Sequence, residues 1–177
     1  PTLLFSDLSN IMVLIIVLST LWMGVIGFID DYLKIIIKAK DGMIARYKMI
    51  GQILLGVIIS YAIINSNDFN GFNTKTTIPF FKNFEFDFGI FYPLLVILVI
   101  TATSNAVNLT DGLDGLAIGL LAICFTVFTA ISYISGRVDF SDYLNILYLP
   151  KASELSIFAS AAVGACLGSV SYTHLRA

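Results

Sequence analysis

Residues 8–34 read LSNIMVLIIVLSTLWMGVIGFIDDYLK. Residues 8–29 carry no Asp, Glu, Lys or Arg, a run that reaches about the 20 residues needed to cross hydrocarbon as a helix. Two carboxylates, Asp30 and Asp31, follow at once. A membrane helix and a pair of candidate functional acids therefore stand side by side. No basic leader or small-residue cleavage site marks the run as a secretion signal, and more runs of the same kind follow it.

Residues 49–67, 88–110, 115–136 and 155–175 are also free of Asp, Glu, Lys and Arg. The whole chain has 177 residues, 58% of them hydrophobic and only 12% charged, about half the usual share of charge. Fourteen Phe exclude a disordered chain, and a net charge of -2 excludes an electrostatically driven nucleic-acid binder. Two Cys, Cys124 and Cys166, are too few for a disulfide scaffold, and their place in apolar runs leads to the expectation of buried thiols rather than nucleophiles or ligands. The expected fold is all-α: a polytopic membrane helical bundle of about five transmembrane helices, with spans near 8–29, 49–67, 88–110, 115–136 and 155–170. Between the second and third spans, residues 84–88 alternate Phe with Glu85 and Asp87, the period-two pattern of a short strand, read as half of an extracytoplasmic β-hairpin. Residues 139–150, with Tyr143 and Tyr148, read as an interfacial anchor.

Basic residues in short loops favour the cytoplasm. Lys34, Lys38, Lys40, Arg46 and Lys48 lie between the first two spans. With that loop inside, alternation puts Asp30, Asp31, Asp111 and Asp114 on one cytoplasmic face. For most of those cations, topology and attraction to anionic lipid are explanation enough. Lys34 and Lys48 differ, because they flank the acid pair and can bind phosphates as point charges.

Adjacent carboxylates repel and are costly near a low dielectric unless a cation sits beside them. A magnesium-bound phosphate substrate would supply one; the bland alternative is a helix end whose charges are balanced by Lys34 and Lys38. A second motif, SNAVNLTDGLDGL at residues 104–116, closes the third span and opens the fourth. Thr101, Ser104, Asn105 and Asn108 recur at helical spacing, so one stripe of polar groups lies inside the membrane zone. Asp111 and Asp114 continue the spacing, and Gly112 and Gly115 permit a tight turn or close approach of a ligand. The bland alternative is a polar packing seam, and Gly164 with Gly168 is read as a helix contact.

Residues 27–34, 45–48 with Gly51 and Gln52, and 104–117 together resemble the polyprenyl-phosphate sugar-1-phosphate transferases, and among them the phospho-N-acetylmuramoyl-pentapeptide transferases. The similarity runs on through 143–150 and 154–168, nearly the whole chain. Relatives acting on UDP-N-acetylglucosamine share a paired Asp and a similar Asn/Asp/Gly signature; Tyr32 to Lys34, Ala45 to Lys48 and Thr110 favour the muramoyl-pentapeptide branch.

The resemblance implies a bacterial inner-membrane enzyme with its active face cytoplasmic, moving phospho-N-acetylmuramoyl-pentapeptide from UDP to undecaprenyl phosphate with magnesium as cofactor. Asp30, Asp31 and Asp111 are then the candidate catalytic acids, and Lys34, Lys48, Asn105, Asn108, Gly112 and Asp114 the candidate substrate-binding residues. Asp30 or Asp31 would remove a proton or help hold the metal, roles the sequence leaves open; the main magnesium-binding Asp is expected after the last residue here. Membrane lipid and a second copy of the chain are the other expected partners. Residues 1–168 are expected to be a partial transferase domain, inactive alone, and 169–177 a non-native tail. Two readings from other classes stay open: a small transporter or channel, with acids spread through the bilayer depth, and an inert assembly subunit.

Overall fold

In the computed structural model the described residues are 1–37, 42–66, 68, 69, 73–77, 85–110, 115–144 and 146–176, with side chains to residue 171. Seven α-helices and one two-stranded hairpin are present among them: α1 (Thr2–Phe5), α2 (Ile11–Ile35), α3 (Ala45–Asn65), β1 (Lys75–Thr77), β2 (Glu85–Asp87), α4 (Tyr92–Thr110), α5 (Leu116–Ser135), α6 (Val138–Leu144) and α7 (Leu155–Arg176). Five helical segments are long and apolar enough to cross a membrane: Ile11–Ile35, Ala45–Asn65, Gly89–Thr110, Leu116–Ser135 and Ala152–Ser171. The chain is a multi-pass membrane protein built as the expected helical bundle. The two strands pair antiparallel, with Thr76 opposite Phe86, so the hairpin is present too.

One boundary differs from the sequence reading. The first span does not end before the acid pair; α2 continues to Ile35, and Asp30 and Asp31 sit inside the helix. No Gly or Pro interrupts the chain between Gly27 and Gly42, and Lys34 pairs with Asp30 one turn earlier at 2.7 Å. Charge does not terminate a helix when its own next turn neutralises it.

The buried apolar residues are few: Met12, Val13, Leu55, Ala117, Ala152 and Ala159. Large side chains such as Leu21, Leu98 and Ile123 point outward. Water would penalise that pattern, whereas hydrocarbon does not, and helices in lipid associate through close approach and polar contacts. Gly56 marks such an approach, since a Cβ there would lie 2.9 Å from the Ile97 Cα, so α3 and α4 meet backbone to backbone. Phe125 and Phe158 meet edge to face where α5 packs on α7.

Polar ties fix which ends lie together. Asn10, fully buried, caps α2 by accepting from the Met12 N–H and donates to the Lys151 carbonyl at 3.0 Å. The Asp7 N–H donates to Glu154, and Lys151 reaches Asp68 at 3.7 Å. The starts of α2 and α7 and the end of α3 thus share one end of the bundle with the hairpin. The ends of α2 and α4 and the start of α3 share the other.

Candidate functional site

That second end holds a cleft of about 260 Å³ lined by Met23, Ile26, Gly27 and Asp30 of α2, Lys48 and Gln52 of α3, and Ser104, Asn105, Val107 and Asn108 of α4. Helical spacing explains the set. Gly27 and Asp30 are one turn apart on α2, Lys48 and Gln52 one turn apart on α3, and Ser104 and Asn108 one turn apart on α4, so each helix turns one polar face inward.

Asp30 is the electrostatic centre, 7% exposed although charged. Its Oδ2 accepts from the Lys34 Nζ and the Lys48 Nζ, both at 2.7 Å. Its Oδ1 accepts from the Met43 N–H at 2.8 Å. A buried carboxylate needs such partners, and two cations plus one backbone donor leave the cluster with one surplus positive charge. Gly42 makes the third bond possible. Its φ of +62° suits glycine, and a Cβ would sit 2.6 Å from both the Asp30 Oδ1 and the Lys34 Cε.

The wall opposite is neutral and polar. The Gln52 Nε2 donates to the Ser104 Oγ at 2.9 Å, and the Asn105 Nδ2 donates to the Gln52 Oε1 at 3.4 Å and to the Thr101 carbonyl at 2.8 Å. Gln52, 5% exposed, therefore ties the stripe of α4 to α3. The Trp22 Nε1 donates to the Gly51 carbonyl at 3.0 Å and fixes α2 against the same part of α3.

The structure brings together Asp30, Lys34, Lys48, Asn105 and Asn108 from the sequence-derived set. Asp31 is not brought in: it is exposed and lies beside Phe28, Tyr32, Ile35 and Ile36. Consecutive residues of a helix are turned about 100° apart, and here that turn carries Asp31 away from the cleft that Asp30 faces. Thr101 also stays out, its hydroxyl donating to the Ile97 carbonyl at 2.8 Å. Asp111, Gly112 and Asp114 lie outside the described residues, as do Lys38 and Lys40. Gly115, at φ +81°, makes the left-handed turn into α5. Gln52 is the residue missed as a site component; its signal is the i, i+4 spacing from Lys48 on an otherwise apolar helix.

The charge balance suits an anion. Two ammonium groups offer donors beyond those spent on Asp30, and Gln52, Ser104, Asn105 and Asn108 supply neutral polar groups. Magnesium demands oxygen ligands, usually from one or two carboxylates with phosphate oxygens. Among the described residues a single carboxylate faces the cleft and its oxygens are already engaged, and no group of three His, Cys, Asp or Glu comes together. The described residues do not fit a magnesium ion.

The sequence model of glycosyl transferase family 4 matches residues 13–175. A phospho-N-acetylmuramoyl-pentapeptide-transferase of Chloroherpeton thalassium is 45% identical over 166 residues, which cover 94% of this chain and 45% of that protein. The protein of the same name from Chlorobium phaeovibrioides is 46% identical over the same shares. That of Chlorobium phaeobacteroides (strain DSM 266) is 48% identical over 154 residues, 87% of this chain and 42% of its own length. The chain spans less than half the length of these curated relatives.

Proposed function

The chain belongs to glycosyl transferase family 4, and from that premise we propose that its cleft serves the transfer of phospho-N-acetylmuramoyl-pentapeptide from UDP to undecaprenyl phosphate, with release of UMP. The observation that carries this reading is the convergence of Asp30, Lys48, Asn105 and Asn108 from three helices on one cleft, with Lys34 paired to Asp30 at its edge. The names of the relatives at 45% to 48% identity support the choice of substrates.

In this reading a terminal oxygen of the lipid phosphate attacks the sugar-bearing phosphorus of the nucleotide. The anhydride bond to the uridine-bearing phosphate breaks, and UMP leaves with the bridging oxygen. One phosphoanhydride replaces another, so no ATP is consumed. A phosphate monoester has its second pKa near ~6 and is already mostly ionised at neutral pH, so the demand is for charge neutralisation and alignment. Lys34 and Lys48 neutralise and hold phosphate oxygens. Asn105 and Asn108, with Gly112 and Asp114, line the nucleotide-sugar side. Asp30 and Asp111 are the proposed acids of the site, and Asp31, exposed and turned from the cleft, is not among them. Magnesium belongs to the proposal as the cofactor the resemblance implies, with ligands other than the described cleft residues.

The proposed setting is the bacterial inner membrane with the cleft on the cytoplasmic side, because Lys34, Arg46 and Lys48 gather there. A substrate comparison tests the reading. Protein expressed from the complete reading frame, in detergent with undecaprenyl phosphate and magnesium, should make lipid-linked product from UDP-N-acetylmuramoyl-pentapeptide. Product from UDP-N-acetylglucosamine alone would replace this reading with the related transferase.

A further inference from the structure

The proposed transfer leaves the separate role of Asp30 open, and the bonding around its carboxylate speaks to it. Lys34 and Lys48 come from different helices, yet both ammonium groups lie 2.7 Å from one oxygen, Asp30 Oδ2. They are therefore no more than twice that distance apart, which two cations do not adopt without an anion between them. The other oxygen, Oδ1, is occupied by the Met43 N–H at 2.8 Å. Each ammonium has three N–H donors and spends one on Asp30, so each retains two for another acceptor. Phosphate is such an acceptor, because its oxygens are close enough to one another to be shared between paired ammonium groups.

Resting on the proposed function, we infer that Asp30 is a positioning residue: it acts through Lys34 and Lys48, assembling them into a two-ammonium seat for a substrate phosphate, and does not itself take the proton. A carboxylate that already serves two cations and a backbone donor is a poor proton acceptor, because both of its oxygens are engaged. The charged groups facing Asp30 are Lys34 on its own helix and Lys48 on α3; α4 faces the same cleft with the uncharged Ser104, Asn105 and Asn108. Asp31, the adjacent acid, is exposed and turned elsewhere.

The test uses protein from the complete reading frame in detergent micelles and two independent readouts. The first is the rate at which an amine-directed acetylating reagent modifies each lysine, read by mass spectrometry, with Lys151 as the internal control. Asp30→Asn should raise labelling at Lys34 and Lys48 several-fold, because each ammonium loses the carboxylate oxygen that engages it, and inorganic pyrophosphate should protect both lysines in the parent. The second is the pH dependence of turnover: Asp30→Asn should lower kcat/KM while leaving the shape of the profile unchanged between pH 6 and 9 (roughly the range in which catalytic bases titrate). Loss of the acid limb of that profile with unchanged lysine labelling would overturn the inference and make Asp30 the proton acceptor. Lys34→Gln, at a half-exposed position, guards against misfolding of the first variant. It should slow labelling of Lys48, which then has Oδ2 to itself, and unchanged labelling would count against the seat. Failure of the parent to turn over its substrates would defeat the proposed function while the labelling arm still judged the inference.

Discussion

Replacing Gly42 tests whether the loop that follows α2 must close over Asp30. Gly42→Ala meets two obstacles at once. The left-handed backbone, φ +62°, costs a residue with a Cβ about 1–2 kcal/mol. The new Cβ would also stand 2.6 Å from the Asp30 Oδ1 and 2.8 Å from the Lys34 Cγ, an overlap worth about 1–3 kcal/mol if the surroundings held still. The chain has a cheaper exit, which is to open the loop and give up the bond from the Met43 N–H to Asp30. A hydrogen bond to a charged group contributes about 1.5–3 kcal/mol, so the loop should open and kcat/KM should fall by roughly 10- to 150-fold. Two comparison variants separate the causes. Gly42→Asn tolerates the left-handed backbone but keeps the clash, and should lose nearly as much as Ala. Gly89→Ala carries a positive φ of 47° with nothing within 4 Å of the new Cβ, and should leave turnover unchanged. The assay is steady-state UMP release by protein from the complete reading frame, with thermal unfolding in detergent as the control for stability. A Gly42→Ala rate within twofold of the parent, or full recovery in Gly42→Asn, would show that the close approach of Gly42 to Asp30 does not govern turnover.

Asp111→Asn should reduce turnover by at least ~100-fold, the scale of losing a group that transfers a proton, with membrane insertion intact by protease protection. Gln52→Leu should destabilise the α3–α4 contact by about 0.6–1.7 kcal/mol, from the average to the largest value for polar contacts between membrane helices, read as a lower detergent-unfolding midpoint. The Thr74 hydroxyl and then the Gly89 N–H hold the Asp87 carboxyl below the usual carboxylate range, so this tie to the hairpin is present at neutral pH and is lost as pH falls through the lowered value. A spin label at Thr76 should accordingly become more mobile in acid, and Asp87→Asn should make it mobile at every pH. Cysteines placed at Lys38 and Asn73 should be labelled from opposite sides of the membrane; labelling from one side would sink the proposed topology.

The spans were legible because water and hydrocarbon sort residues so sharply that absence of charge over about 20 positions is sufficient. Asn108, Asn105 and Ser104 were legible as one face for the same reason of spacing. What escaped was tertiary. Asp30 and Asp31 are equivalent as letters, and only the helix continuing to Ile35 turns one into the cleft and the other away. The sequence reading balanced the pair with Lys34 and Lys38, whereas the partners found are Lys34 and Lys48, the second brought by the return of the chain into α3. The close approach of Gly42 to Asp30 depends on a carboxylate twelve positions earlier, which no local pattern reveals. Gln52 offers only its spacing from Lys48 in the sequence; its meaning comes from Ser104 and Asn105 across the helix interface.

If this lysine-bearing cleft is where phosphate substrates react, Lys48→Gln should disable it. Lys48 lines the cleft and contacts Asp30, and the substitution keeps a polar side chain of similar reach without the charge. With UDP-N-acetylmuramoyl-pentapeptide, undecaprenyl phosphate and magnesium, UMP release by the inserted variant should fall by about 100-fold or more, the scale of losing one preorganised charge at a reacting phosphate. Release within a few-fold of the parent would contradict the assignment of the cleft.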